Sequence, residues 1–232
     1  MLRKNTADEP SLRTGIILKN GGVKRVSRLL YGARIAGCKV LGPGNRAVLW
    51  VFGCPRDCPG CIAKSFREGT PRETTVQEMA EWYLAQDAEG ITISGGEPFE
   101  QAEALAELTE IIRREKDAGV IVYTGYLYEE LLDRAKQESA VRRFLNNIDL
   151  LIDGPYLQER DHNQPYVGSD NQRLLPLTNR YAGQMSYYTE AVGRKVEIRL
   201  SEKTTLLVGV PGQDQREIWR RVKKLNDTNV ET

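Results

Sequence analysis

Histidine is almost missing from this sequence. Its 232 residues contain one, His162, beside four cysteines and ten tyrosines. A single imidazole excludes metal centres built on several histidines and leaves little room for Ser-His-Asp catalysis. Four cysteines are too few for a disulfide-stapled secreted scaffold of this length. No run approaches the ~18 consecutive apolar residues of a membrane-spanning helix, and the opening MLRKNTADEPSLRTG lacks the apolar stretch of a secretory signal. The expected setting is cytoplasmic and reducing, where clustered cysteines serve as metal ligands more often than as disulfides. A charge excess is also lacking: 33 Lys and Arg against 32 Asp and Glu give +1. Neither a nucleic-acid nor a membrane partner is expected from that balance.

The composition, 40% hydrophobic and 28% charged, is that of an ordinary soluble globular protein. The length fits one full domain, or one domain with appendages. Charge is unevenly placed. Residues 1–46 carry ten Lys and Arg against Asp8 and Glu9, a local +8 that leaves −7 for the rest. A solvated basic extension explains this, and a docking surface for an acidic partner is the sharper alternative. Residues 1–34 are expected to form an N-terminal extension, with a hairpin turning at Lys19-Asn20-Gly21-Gly22.

From residue 47 onward, short apolar strands alternate with helical patterns. Strands are predicted at 47–52, 90–94, 120–123, 148–152 and 173–177, with helices at 76–85, 100–116, 128–136 and 140–146. This alternation implies right-handed βαβ units and a parallel α/β sheet. Past residue 183 the pattern changes to a small hairpin, 196–200 with 204–210, and an amphipathic helix over 213–225. In parallel sheets ligands gather at the carboxyl ends of strands. The unusual residues fall there: Cys54, Gly95-Gly96-Glu97, Thr124-Gly125 and Asp153-Gly154.

The strongest signal is CPRDCPGC at residues 54–61, a CxxxCxxC on a loop stiffened by Pro55 and Pro59. Three thiols suit a four-iron cluster that keeps one iron free of protein. A closed zinc or [4Fe–4S] site needs four ligands. Cys38 lies sixteen residues before Cys54, beyond a strand that carries the chain roughly 20 Å away. It reads as a buried small hydrophobe. The second signal is SGGEP at 94–98, between a strand and a helix. Paired glycines admit close backbone approach, the helix start offers free N–H groups, and Glu97 offers acceptors to an ammonium. Such a site suits an amino-acid zwitterion. The clustered tyrosines and Trp50 read as core, and His162 as a solvated loop residue.

At these residues the chain resembles the radical SAM superfamily, whose paired signature is CxxxCxxC with GGEP, over roughly residues 35–180. GPGNR at 42–46, YTGY at 123–126, DGPY at 153–156 and GSDNQR at 168–173 look like the activating proteins of anaerobic ribonucleotide reductase. The resemblance implies a partial (β/α) barrel over residues 35–182, with residues 183–232 as the C-terminal hairpin and helix. It implies that Cys54, Cys58 and Cys61 hold a [4Fe–4S] cluster whose open iron chelates S-adenosylmethionine. Gly95, Gly96, Glu97, Thr124, Gly125 and Asp153 would contact that cofactor, and Asn171, Gln172 and Arg173 the substrate or partner. The implied reaction is reductive cleavage to a 5′-deoxyadenosyl radical. Its implied target is a glycine of a glycyl radical enzyme, with a flavodoxin- or ferredoxin-type electron donor. Radical modification of a peptide or natural-product precursor is the alternative within the family. A ferredoxin-like carrier or zinc-binding module is the alternative outside it. Polar Arg56-Asp57 between the first two cysteines, and the additions at both ends, depart from the family pattern.

Overall fold

Strand and helix alternate through the middle of the chain, as the apolar spacing predicts. The computed structural model describes residues 15–17, 23–190, 193–200 and 205–228. The basic residues of 1–14 and 18–22 lie outside these. Strands β1 (Gly15–Ile17) and β2 (Val23–Arg25) pair antiparallel, and the turn expected at Lys19-Asn20-Gly21-Gly22 lies outside the described residues. Then follow β3 (Arg28–Cys38), β4 (Arg46–Val51), α1 (Ser65–Glu68), β5 (Arg72–Thr75), α2 (Val76–Leu84), β6 (Gly90–Gly95), α3 (Ala102–Glu115) and β7 (Gly119–Tyr123). The order continues with α4 (Tyr128–Gln137), α5 (Ser139–Leu145), β8 (Leu150–Asp153), β9 (Arg173–Pro176), α6 (Asn179–Ala182) and α7 (Ser186–Thr189). Hairpin β10 (Val196–Leu200) and β11 (Thr205–Gly209) precede the last helix, α8 (Gln213–Thr228). None of the described helices is long and apolar enough to cross a membrane.

One seven-stranded sheet, ordered β5-β3-β4-β6-β7-β8-β9, organises the molecule. Its four middle strands, β4, β6, β7 and β8, are parallel. Both edges are antiparallel: β3 and β5 on one side, β9 on the other. The sheet therefore takes in residues before 35, and the predicted strand at 173–177 is present but reversed. The reason for the reversal is the link from β8 to β9, which contains a single 3-10 turn at Gln158–Arg160 and no crossover helix. Without a helix to carry it back, the chain returns antiparallel.

The parallel strands add in one direction without reversal, so right-handed crossovers place the crossover helices α2 to α5 on the same face. That is barrel winding rather than double winding. Side chains alternate accordingly. Leu49, Val51, Ile91, Ile93, Val120, Val122 and Leu151 pack under α2 to α5. Their neighbours Val48, Trp50, Ile121, Leu150 and Ile152 face the opposite side. There they meet Tyr166, Val167, Tyr181, Tyr188, Val208 and Val210. The β8–β9 link and the chain after β9 thus cover the face that the crossover helices leave free. Helix α2 begins with a capping box, in which the Thr75 hydroxyl accepts from the Glu78 N–H at 3.1 Å and the Glu78 carboxylate from the Thr75 N–H at 2.9 Å.

At the amino ends of the parallel strands, Arg46 is 1% exposed. Its Nε donates to Thr92 Oγ1 at 2.6 Å, and its Nη atoms to the carbonyls of Ile91 and Gly119 and the Tyr181 hydroxyl at 2.7, 3.0 and 2.8 Å. Gly90 and Gly119 make room for it: a Cβ on Gly90 would come 2.8 Å from the guanidinium, and one on Gly119 would come 2.0 Å from the Tyr181 hydroxyl. The GPGNR motif is therefore a plug for the bottom of the sheet, at the end opposite Cys54. Arg46→Met should cost roughly 2–4 kcal/mol in denaturant unfolding, because it strands several buried acceptors. A change within experimental error would contradict this role.

Candidate active site

Four loops, those leaving β4, β6, β7 and β8, form a continuous rim at the carboxyl ends of the parallel strands. The first leaves β4 through Gly53, whose φ of 94° favours glycine and whose N–H donates to Phe66 O at 2.9 Å. Cys54, Cys58 and Cys61 follow, all partly exposed and free of disulfides. The Cys61 N–H donates to Cys58 O at 3.2 Å. Arg67 donates to Arg56 O at 3.0 Å and pairs with Asp57 at 2.5 Å. Burial pushes the Cys54 thiol up, and the nearby Glu97, Cys61 and Cys58 add to it. Burial also raises Cys61, with Cys58 adding to the shift and Arg67 and Arg216 opposing it. Mutual repulsion among these thiolates is what a bound cationic centre relieves.

Among the described residues no three His, Cys, Asp or Glu side chains are gathered closely enough to hold one metal ion. The three thiols are neighbours along a loop rather than a closed mononuclear site. Cys38 is fully buried and pairs with Arg46, at the far end of β4. It is the bystander the strand length predicts. The donor set is then three thiols and no fourth, which fits a [4Fe–4S] cluster with one iron left without a protein ligand.

The second loop packs directly on the first. A Cβ at Gly96 would lie 2.1 Å from Gly53 O, and one at Gly95, whose φ is 105°, 2.5 Å from Val51 O. Both glycines are required by this backbone contact. The Gly96 and Glu97 N–H groups donate to Val51 O and Gly53 O at 2.8 and 2.7 Å. The Glu97 side chain turns inward and is 1% exposed. Its Oε1 accepts from Phe99 N at 3.1 Å and Thr124 Oγ1 at 2.7 Å, and its Oε2 from Gly125 N at 2.8 Å. Burial raises its pKa, and these three hydrogen bonds and the Arg56 charge pull it back. Gln101 adds a clamp, donating to Leu30 O and Phe52 O, both at 2.9 Å.

Thr124 and Gly125 therefore contact Glu97 directly, and Arg56 completes the joint. Its guanidinium lies 4.5 Å from the centre of the Tyr126 ring, with Arg134 on that ring at 4.9 Å. From there the rim runs to DGPY, where Gly154 N donates to Tyr126 O at 2.9 Å and Tyr128 N to Asp153 Oδ2 at 2.7 Å. Asp153 is fully buried, and Arg173 binds it at 3.0 Å through Nε while reaching Glu129 at 2.7 Å. Gln172 Nε2 donates to Gly154 O and Asn171 Nδ2 to Pro155 O, both at 2.8 Å. Asn171 Oδ1 is buried without a hydrogen-bond partner.

The cysteine loop, Gly95-Gly96-Glu97, Thr124-Gly125, Asp153 and Asn171-Gln172-Arg173 thus lie along the carboxyl ends of the parallel strands, while Cys38 and GPGNR lie at the other end. Gln172 and Arg173, expected toward a partner, direct their donors at the chain itself. His162 is exposed and meets Asp170 at 2.9 Å. The sequence reading missed Arg56, Arg67, Gln101 and Arg216. Only the polarity of Arg56-Asp57 signalled the first, and no spacing links any of them to its partner.

The family described as "4Fe-4S single cluster domain" matches residues 40–175. The chain is similar to the anaerobic ribonucleoside-triphosphate reductase-activating protein of Enterobacteria phage T4, at 32% identity over 63% of this chain and 94% of that protein. The proteins of the same name from Vibrio cholerae and Pasteurella multocida are 32% and 34% identical, each over 60% of this chain and 92% of the relative. Among solved structures, QueE from Escherichia coli superposes with a TM-score of 0.37 at 16% identity, over 42% of this chain and 53% of that one.

The contact between the first two loops yields an expectation. Gly96→Ala should destabilise the fold by roughly 1–3 kcal/mol, since two backbones would have to separate. Gly183→Ala, where a Cβ meets nothing within 4 Å, should leave stability unchanged. Equal unfolding midpoints for the two variants would refute the contact.

Proposed function

Because the chain belongs to the 4Fe-4S single cluster domain family, with residues 40–175 matching it, we propose that it is a radical SAM enzyme that generates a glycyl radical on a partner enzyme. The observation that carries this reading is the rim: three thiols without a fourth, on a loop joined through Glu97 to the loop after β7. Cys54, Cys58 and Cys61 hold the cluster. With S-adenosylmethionine chelated through its amine and carboxylate, a reduced cluster of this kind supplies a 5′-deoxyadenosyl radical able to take hydrogen from a glycine Cα.

The chain's own residues shape the site around that chemistry. Gly95 and Gly96 bring backbone against the cysteine loop, where a methionyl amine is received. Three hydrogen bonds leave one acceptor position on Glu97 Oε2, so the same carboxylate that ties the loops is available to the ammonium. Thr124, Gly125 and Asp153 form the next part of the wall, and Asn171 brings the free Oδ1 to it. Gln172 and Arg173 hold this wall closed. Ile62 is 45% exposed next to Cys61, an apolar surface beside the cluster loop suited to docking a flavodoxin- or ferredoxin-type donor. The reading takes residues 35–182 as the catalytic unit. Its partner class follows from the relatives' names, those of activating proteins for anaerobic ribonucleoside-triphosphate reductase.

Radical modification of a peptide precursor is the second reading. It is favoured by the cover that Val208, Val210 and Tyr188 place on the helix-free face, all of them beyond the family match. Mixing reduced enzyme, S-adenosylmethionine and the candidate reductase should give a glycyl doublet in electron paramagnetic resonance. S-adenosylmethionine cleavage without that doublet would exclude the partner. The absence of 5′-deoxyadenosine altogether would exclude radical chemistry and favour an electron carrier.

A further inference from the structure

A buried ion cluster joins the chain beyond the family match to the cysteine loop. Its centre is Asp161, whose side chain is 1% exposed. Arg194, also 1% exposed, meets Asp161 Oδ1 at 2.7 Å from the segment entering β10. Arg216, in the first turn of α8 and 13% exposed, pairs with Asp161 Oδ2. The Tyr156 hydroxyl donates to the same oxygen at 3.1 Å. Burial pushes the Asp161 carboxyl up, but its hydrogen bonds to Arg194 and Tyr156 and the two guanidinium charges outweigh this and hold it below the usual range. Arg194 is otherwise committed to carbonyls, donating to Gln164, Pro211 and Gly168 at 2.9, 3.1 and 2.9 Å.

Arg216 differs from Arg194 in what else it reaches. Its Nη1 donates to Tyr156 Oη at 3.2 Å and to Gly60 O at 3.3 Å. Gly60 precedes Cys61, has a φ of 71°, and packs so closely on Gln158 that a Cβ would lie 2.5 Å from its Oε1. A side chain from the last helix therefore holds the backbone between two of the three thiols. One carboxylate between two guanidiniums also leaves the triad one net positive charge, in a site with little water to screen it.

We propose that Arg216 is a positioning residue of the cluster loop, and that the C-terminal hairpin and helix supply both a backbone anchor and a fixed positive charge to the cluster. The inference rests on reading Cys54, Cys58 and Cys61 as cluster ligands. A positive charge beside the cluster favours its reduced form, the form that must deliver an electron. The family core alone, residues 40–175, contains Asp161 but neither arginine, so in this chain the appendage completes the site.

Two charge-changing variants of the full-length protein and one charge-conserving control, reconstituted anaerobically with iron and sulfide, test this. The readouts are iron content, thermal midpoint and cluster potential by redox titration. Arg216→Gln lowers the net charge of the triad and should shift the potential negative, with a roughly fivefold lower ratio of reduced to oxidised cluster at a fixed poise. Asp161→Asn raises the net charge and should shift the potential the opposite way. Arg216→Lys keeps the charge and should stay near the wild-type potential. A purely structural role would lower the thermal midpoint of both variants without opposite potential shifts, and that result would overturn the proposal. Should one variant fail to fold, the sign of the shift in the other decides. If the wild-type protein takes up no iron, the cluster reading itself fails, a different outcome from unchanged potentials in loaded variants.

Discussion

The site depends on one buried carboxylate. Glu97 belongs to the loop after β6, yet its oxygens are bound by Thr124 and Gly125 from the loop after β7, while its own N–H is bound by Gly53 from the loop after β4. Three strand ends thus converge on one residue. A carboxylate that is 1% exposed is tolerated only when both its oxygens are hydrogen-bonded, so each donor is needed both for the fold and for the site. The glycines beside it serve the same contact. Gly95 and Gly96 have no room for a side chain because the end of β4 and Gly53 at the start of the cysteine loop lie against them. Arg56 on Tyr126 closes the joint from the solvent side.

The winding of the sheet decides what the rest of the chain must do. Strands β4, β6, β7 and β8 add in one direction, so the helices occupy one face. The other face would expose Val48, Trp50, Ile121, Leu150 and Ile152 to water. Burying each side chain of that kind contributes about 1.5–3 kcal/mol. In this protein the cover comes from Tyr166 and Val167 of the β8–β9 link, α6, α7 and the β10–β11 hairpin, and the ion cluster at Asp161 anchors that cover beside the cysteine loop. Coverage of the apolar face and support of the candidate cluster site are therefore one structural solution.

Much of this was legible in the sequence, for physical reasons that can be named. The parallel strands are short apolar runs flanked by helical periodicity, and β4, β6, β7 and β8 lie where that pattern places them. Cys38 was separable from the other cysteines by chain geometry alone. The edges were harder. Strand β3 carries two register shifts against β4, which break the alternation that would reveal it. Strand β9 has the composition of any other strand, and only the helix-free link before it signals its direction. Helices α6 and α7 are single turns with no period to detect. In the site, the motifs were visible, but not which of their side chains face inward. Gln172 and Arg173 carry donors that suit a partner equally well, and only the fold shows Gly154 and Asp153 taking them. The Arg56–Tyr126 and Arg216–Gly60 contacts join residues far apart in sequence, which no local pattern encodes.

The central claim is that Cys54, Cys58 and Cys61 hold a four-iron cluster with one iron free for S-adenosylmethionine. Mössbauer spectroscopy of protein reconstituted anaerobically with ⁵⁷Fe tests it most directly. Addition of S-adenosylmethionine should split off about one iron in four as a distinct site, while the others, each held by a thiolate, stay unchanged. Four irons that remain equivalent, or a protein that excludes iron and retains zinc, would contradict the account.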